Sequence, residues 1–199
     1  MAETTTDQRL VKGARSRASI ARHAADVASV EGLNGVSIGR LAADLGISKS
    51  GIATLFGSKE SLQLAAVEAA REVFVGRVIE PSLAEPRGLP RLRALIDNWF
   101  AHVTEPVFPG GCFRTATLVE FDSRPGPVRD AVAADHDDWM TFLTTEIRKA
   151  QEQGDLTGRD ADALAFEFDA VISAVSTARQ LGDETKVHTA RAIVDRLLS

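Results

Sequence analysis

The sequence predicts an all-α chain, and three observations predict it. Apolar residues recur at intervals of three and four, the spacing that lines one face of a helix, rather than two. Tyrosine is absent, and no run of alternating β-branched residues stands out as a strand. Serine and glycine fall where such segments begin and end, as helix caps do.

The elements follow in order. Arg15 to Glu31 forms a first helix, with Ile20, Ala24, Val27 and Val30 or Glu31 on one stripe and Gly32 closing it. "GLNGVS" is a turn, and Ser37 is a candidate N-cap. Ile38, Leu41, Ala42 and Leu45 follow at offsets of zero, three, four and seven, one helical face. Gly46 supplies a left-handed residue. Ser48 caps a third helix with Ile52, Leu55 and Phe56 on its apolar face, and Ser58 caps a fourth that runs to about Ile79. Pro81, Pro86, Gly88 and Pro90 mark a connection to a helix from about Leu89 to Thr104, which turns Leu92, Leu95, Ile96, Trp99 and Val103 inward. "EPVFPGGC" interrupts, Phe113 to Phe121 is helical, and "DSRPGPVRD" breaks again, with Pro127 suited to a first turn. Val128 to Gln153 reads as a long amphipathic helix. Two more helices, Asp160 to Gln180 and Asp183 to Leu198, follow "GDLTGRD". The total is roughly nine helices, divided into a short unit at 1–62 and a larger one at 63–199.

Composition narrows the function. Of 199 residues, 44% are hydrophobic and 26% charged, the balance of a soluble globular protein. No apolar run approaches the ~20 residues that span a bilayer, and "MAETTTDQRLVKGARSR" lacks the apolar core of a secretory signal. Cys112 is the single cysteine. It excludes an intrachain disulfide framework and fits a reducing cytoplasm. Nothing suggests a metal or cofactor: His23, His102, His136 and His188 are dispersed, and "DHDD" (Asp135 to Asp138) reads as a solvated helix face. The net charge is -5, yet residues 1–62 carry eight basic and six acidic groups and are therefore +2. Arg9, Lys12, Arg15, Arg17 and Arg22 form a run without an acid, an electrostatic footprint for phosphates.

Ile38 to Phe56 has the layout of a helix-turn-helix. Leu41, Leu45, Ile47, Ile52 and Leu55 or Phe56 would form the small core, Ala42 the crossing point, and Gly46 the turn. The second helix reads Ser48, Lys49, Ser50, Gly51, Ile52, Ala53, Thr54. Only Ile52 is bulky and apolar, and Gly51 costs the helix about 1 kcal/mol relative to alanine. Short side chains let a backbone approach base edges in a major groove, where Ser and Thr hydrogen-bond bases and a methyl meets thymine. Lys49 and Lys59 each follow a serine cap. A cation there opposes the helix dipole but reinforces an anion site, so the pair suggests two phosphates flanking one helix.

The stretch "RASIARHAADVASVEGLNGVSIGRLAADLGISKSGIATLFGSKESL" resembles the N-terminal DNA-binding domain of TetR-family transcriptional regulators, most tellingly in "GLNGVSIGRLAADLGIS" and "LFGSKESL". The resemblance implies that Ser48 through Thr54 belong to the recognition helix. Ser37 and Arg40 on the preceding helix, Lys59 at the start of the fourth and Arg17 in the basic run would contact DNA. One position departs from the family pattern: Ala53 stands where many members carry a tyrosine that touches the backbone.

For the larger unit the resemblance implies a small-molecule pocket and a dimer. Trp99, His102, Val103, Phe113, Phe121, Trp139, Phe142 and Phe168 are candidate pocket residues, with Phe100 and Cys112 nearby. Cys112 itself fits a buried, inert thiol. Leu164, Phe168, Val171, Val175 and Ala178 form one stripe of the penultimate helix. Phe166, Ala170, Ala174 and Thr177 form a second, which suits close approach of a partner helix. Val187, Ala190, Val194 and Leu197 repeat similarly in the last helix. The expected protein is a homodimeric, ligand-responsive DNA-binding regulator, a repressor released from a palindromic operator by a small-molecule effector. The alternative is a helical ligand carrier or enzyme whose helix-turn-helix no longer binds DNA. No nucleophile–base pair or glycine-rich phosphate loop supports an enzyme.

Overall fold

The computed structural model describes residues 3–105 and 107–199, with side chains from Val11 on. Among these residues there are helices and no strands: α1 (Glu3–Gly35), α2 (Ile38–Leu45), α3 (Lys49–Phe56), α4 (Lys59–Phe74), α5 (Glu80–Ser82), α6 (Leu89–Thr104), α7 (Phe113–Phe121), α8 (Pro127–Glu152), α9 (Ala161–Gln180) and α10 (Glu184–Leu197). A π-helical stretch, Val75–Ile79, joins α4 to α5, so the fourth helix runs on through its expected end near Ile79. Pro81 has no N–H to offer the carbonyl of Arg77, and the widened turn lies just ahead of it. Counted with that continuation, nine helices are present among the described residues, as the spacing predicts.

The first helix begins twelve residues earlier than expected. The segment before Arg15 contains no proline and one glycine, Gly13, so nothing in it stops a helix. Gly32 does break the helix, at φ 74° and ψ 168°, and one further turn follows to Gly35. The three serine caps form. Ser37 Oγ accepts from Arg40 N at 3.1 Å, Ser48 Oγ from Gly51 N at 3.1 Å, and Ser58 Oγ from Ser61 N at 3.0 Å. Each cap satisfies a backbone donor that helix geometry leaves without a partner. Gly46 takes φ 64° at the end of α2, the left-handed conformation that glycine adopts without a steric penalty.

Two hydrophobic clusters organise the chain. One joins α1–α4 to Phe108, Phe113, Phe121, Val128 and Val132. The other runs from Phe74 and Val78 through α6, α8, α9 and α10. Leu41, Ile52 and Phe56 are buried between the helix-turn-helix and its neighbours, with Leu45 and Leu55 partly buried against them. Ile47 is not part of that core. It sits in the turn and is 41% exposed.

The loop between α6 and α7 is stitched to α1. Arg22 donates to the Val107 carbonyl at 2.9 Å, and its guanidinium lies 4.4 Å above the Phe108 ring. Gly110 N donates to Ser29 Oγ at 3.0 Å. A Cβ on Gly110 would stand 1.9 Å from the Ser29 carbonyl oxygen, so only glycine allows this approach.

The α1–α2 junction is held from two sides. Glu120, near the end of α7, accepts from Leu33 N at 2.6 Å and Asn34 N at 2.9 Å. From α4, Gln63 donates to the Leu33 carbonyl and Lys59 to the Asn34 carbonyl, each at 2.7 Å.

Candidate nucleic-acid interface and ligand site

The helix-turn-helix presents its third helix outward. Ser48, Lys49, Ser50, Gly51 and Thr54 are exposed, Ala53 is half-buried, and Ile52 and Phe56 anchor the inner face. Several hydroxyls are already engaged. Thr54 Oγ1 donates to the Ser50 carbonyl at 2.8 Å, and Ser50 Oγ donates to Ser48 Oγ at 3.2 Å. Thr54 Oγ1 keeps an acceptor lone pair. Among the described residues no carboxylate pairs with Lys49 or Lys59. The Lys49 stem lies over Gly39, where an added Cβ would meet it at 3.7 Å.

The arginines expected on DNA are placed differently. Arg40 is held between Asp44, at 2.8 Å, and Glu31, at 2.7 Å. Its hydrogen bonds to Asp44 and then Glu31 raise its pKa above the usual guanidinium value. Arg17 donates to the Leu55 carbonyl and lies 4.4 Å above the Phe56 ring, bracing α1 against the end of α3. Arg22 belongs to the loop contact described above. The Arg9 side chain lies outside the described residues. Lys12, Arg15 and Arg17 remain exposed along α1.

In the larger unit, aromatic rings from the end of α4, α6 and α8 meet around Phe74. Phe74 packs edge-to-face on His102, with ring centroids 5.3 Å apart, and on Trp139 at 4.9 Å; Trp139 packs on Trp99 at 4.8 Å. Beside them is a cavity of about 170 Å3 lined by Arg71, Phe74, Arg114, Asp135, Trp139 and Phe142, among others. A smaller space of about 10 Å3 shares Arg71, Phe74, Arg114 and Asp135 and reaches His102 and Phe113. His102, Phe113, Trp139 and Phe142 are thus brought together.

Other expected pocket residues are not. Trp99 backs Trp139 without lining the cavity, and Phe168 is fully buried in the core of α9. Val103 borders a separate surface cleft with Arg179, and Phe121 a separate α7–α8 groove. The reason is rotational. Apolar spacing marks the inner face of each helix, but only part of that face meets a void.

Spacing also missed Phe74, Arg71, Arg114 and Asp135. "DHDD" is not uniformly solvated. The Asp135 side chain is 14% exposed and accepts from Arg114 at 2.9 Å, with Arg71 at 3.4 Å. Asp138 stays outside and pairs with Arg71 at 2.8 Å. Arg114, the one basic residue between Arg93 and Arg124 apart from His102, is the available signal. Cys112 itself is buried.

On α9, Phe166, Ala170, Ala174 and Thr177 are exposed in a single stripe, with Phe166 68% exposed. The last helix behaves otherwise. Val187, Ala190 and Val194 are buried in the core of their own chain, and Leu197 packs against it. α10 uses its single apolar stripe internally and turns polar residues such as His188 and Thr189 outward.

A capped helix-turn-helix on a helical body that holds an aromatic cavity defines a class, the two-part helix-turn-helix regulators. Residues 88–194 match the family model described as "Tetracyclin repressor-like, C-terminal domain". A TetR transcriptional regulator from Chloroflexus aurantiacus J-10-FL is 30% identical, over 94% of this chain and 94% of its own, with a TM-score of 0.82. A protein from Saccharomonospora viridis, solved in complex with choline, is 20% identical over 92% of this chain and 96% of its own, with a TM-score of 0.76. AibR, solved in complex with isovaleryl coenzyme A and operator DNA, is 23% identical over 81% and 86%, with a TM-score of 0.67. No curated protein matches the sequence. The chain belongs to the TetR family of transcriptional regulators.

His102 gives this site a pH signature. Burial pushes its pKa down to about 4, and Arg114, Arg77 and Arg22 add to the effect. The folded chain therefore holds a neutral imidazole, while the unfolded chain takes up a proton below about 6.5. Its contribution to stability is complete above that pH and is lost as the pH falls toward 4, by up to about 3 kcal/mol. His102→Phe is expected to flatten the pH dependence of the urea unfolding free energy between these limits. An unchanged slope would show that His102 is not buried neutral.

Proposed function

We propose that the protein is a ligand-responsive transcriptional regulator, a repressor that binds a palindromic operator as a homodimer and leaves it when a small effector binds. Residues 1–62 carry DNA binding and 63–199 carry the effector site and dimerisation. The observation that carries this reading is the outer surface of α3. It offers a lysine, two hydroxyl residues, a glycine and an alanine on a helix whose inner face is fixed by Ile52 and Phe56. Two such helices would enter successive major grooves about 34–36 Å apart. Ser37, Ser48, Lys49 and Lys59 sit at or beside three helix N-termini, where backbone N–H groups favour phosphate. Arg17 and Arg40 act by fixing the motif, and release from Glu31 would free Arg40 for phosphate. Ala53 leaves to its neighbours the contact that a tyrosine makes elsewhere in the family.

The exposed stripe of Phe166, Ala170, Ala174 and Thr177 is the proposed partner surface. A helix with apolar residues on two sides needs cover for both, and two-fold symmetry matches a palindrome. No helix among the described residues is long and apolar enough to cross a membrane. A cytoplasmic, non-enzymatic role goes with operator binding. An effector acts by binding better to the conformation that does not fit DNA. The structured route is α7, which carries Arg114 at the cavity and Glu120 at the α1–α2 junction. The DNA and coenzyme A derivative bound by AibR, and the choline bound by the Saccharomonospora viridis protein, are consistent with this division of labour.

A gel-shift assay on the chain's own upstream DNA, or on selected DNA pools, tests the reading. Binding should weaken steeply with salt. Lys49→Ala should reduce the slope of log affinity against log salt by about one unit. Lys59→Ala should weaken binding further, because it also loosens the Asn34 tie. No binding to either DNA at low salt would refute DNA recognition. Sedimentation at micromolar concentration should report a dimer, and Phe166→Glu should yield folded monomer. A variant that stays dimeric would remove α9 from the interface.

A further inference from the structure

We propose that the cavity beside Phe74 takes a small aromatic carboxylate, its oxygens accepting from Arg114 Nη1 and Trp139 Nε1 and its ring packing against Phe74 and Phe142. This names the effector class of the regulator proposed above and rests on that reading.

Three buried polar atoms have no hydrogen-bond partner among the described residues at this site: His102 Nδ1 from α6, Arg114 Nη1 from α7 and Trp139 Nε1 from α8. A buried donor left unsatisfied costs about 1–3 kcal/mol. Three of them converging on one cluster mark a place where something else completes the bonds. Arginine and tryptophan nitrogens donate only, so the missing group is an acceptor. Arg114 is oriented for it. Asp135 already engages its Nε and Nη2, each at 2.9 Å, which fixes the guanidinium and leaves the buried Nη1 without a partner.

The charge of the acceptor follows from its surroundings. Arg71 and Arg114 face the cavity with Asp135 and Asp138; Asp138 is spent on Arg71 at 2.8 Å, and its side chain is 63% exposed. At His102, just beyond, Arg114, Arg77 and Arg22 all oppose a positive charge. That field favours an anion. An ammonium ligand finds no place. The Arg114 guanidinium already lies 4.2 Å over one face of the Phe74 ring, and the ligand ring meets the remaining side. Both Asp135 oxygens are taken, one by Arg114 and one by Arg71. Size sets the rest. A cavity of about 150 Å3 accepts benzene in another protein, and the space here is about 170 Å3. One ring with a short carboxylate fits, and the flat walls of Phe74, Trp139 and Phe142 suit a ring.

The protein carries its own reporter. It has two tryptophans and no tyrosine, and both tryptophans belong to this cluster. DNA-free protein titrated with benzoate should show a saturable change in intrinsic fluorescence, at least about tenfold tighter than with benzamide, and no response to benzylamine. Trp139→Phe keeps the ring and removes the N–H. It should weaken benzoate binding about tenfold by calorimetry, and Arg114→Lys should do so at least as strongly, with urea unfolding confirming that both are folded. Benzamide or benzylamine binding as tightly as benzoate overturns the proposal. So does absence of a benzoate response at millimolar concentration, or unchanged affinity in both variants. No DNA enters the assay, so failure here leaves operator recognition standing, and failure of the gel shift leaves this result standing.

Discussion

A single carboxylate sets the angle at which the helix-turn-helix leaves the body. Glu120 reaches from α7 to the two amides just past the Gly32 break and accepts from both. A φ of 74° at Gly32 turns Leu33 and Asn34 toward it, and a Cβ on Gly32 would stand 2.5 Å from a Glu120 oxygen. Charge-assisted bonds of this kind contribute about 1.5–3 kcal/mol each, enough to hold one conformation of a short junction. Gln63 and Lys59 fix the same turn from α4 through its carbonyls. Donors and acceptors of one turn are thus held by two different helices, and α2 and α3 inherit their orientation from that grip.

The charges on α7 make sense only in this light. Arg114 lies in its first turn and Glu120 in its last, each opposite to what the helix dipole favours. The helix accepts that small penalty because both ends have tertiary partners, Asp135 at one and the α1 amides at the other. The two groups are six residues apart, about 9 Å along a helix axis. A rigid rod therefore connects the cavity wall to the base of the helix-turn-helix. Lys49 and Lys59 violate the same rule at α3 and α4; Lys59 has the Asn34 carbonyl as its partner, and Lys49 is exposed.

Much of this was legible in the sequence, and the boundary is physical. Caps and turns are local, so Ser37, Ser48, Ser58 and Gly46 announce the motif from a few neighbouring residues. Helical periodicity gives the inner faces, so Leu41, Ile52 and Phe56 are identifiable. Exposure at a turn is not periodic, and Ile47, apolar and expected in the core, lies outside it. The ends of helices depend on the absence of breakers, and α1 starts at Glu3 rather than Arg15. Which stripe of a two-sided helix meets its own core is decided by packing across the chain. Val187, Ala190 and Val194 therefore face inward, while Phe166 and its neighbours face out. Contacts such as Arg114–Asp135 and Glu120–Leu33 join residues 21 and 87 positions apart. No local pattern announces them, so the cavity's polar half lay beyond the sequence.

The same logic explains the basic residues of the N-terminal unit. Arg17, Arg22 and Arg40 each have a stem and fork suited to bracing, and each is used that way, on Phe56, on Phe108 and between two carboxylates. Lys12 and Lys49 are left for solvent, and Lys59 ties only the Asn34 carbonyl. A motif that must hold its shape against a charged polymer gains from that division, since guanidiniums bind in fixed directions and ammoniums adapt. Whether the junction is truly gripped by α7 is open to direct measurement. Amide hydrogen exchange at Leu33 and Asn34 should be slow in the wild-type protein. In Glu120→Gln it should be at least about tenfold faster, with core amides of α6 and α9 unchanged. Equal exchange at these two amides in both proteins would contradict the account.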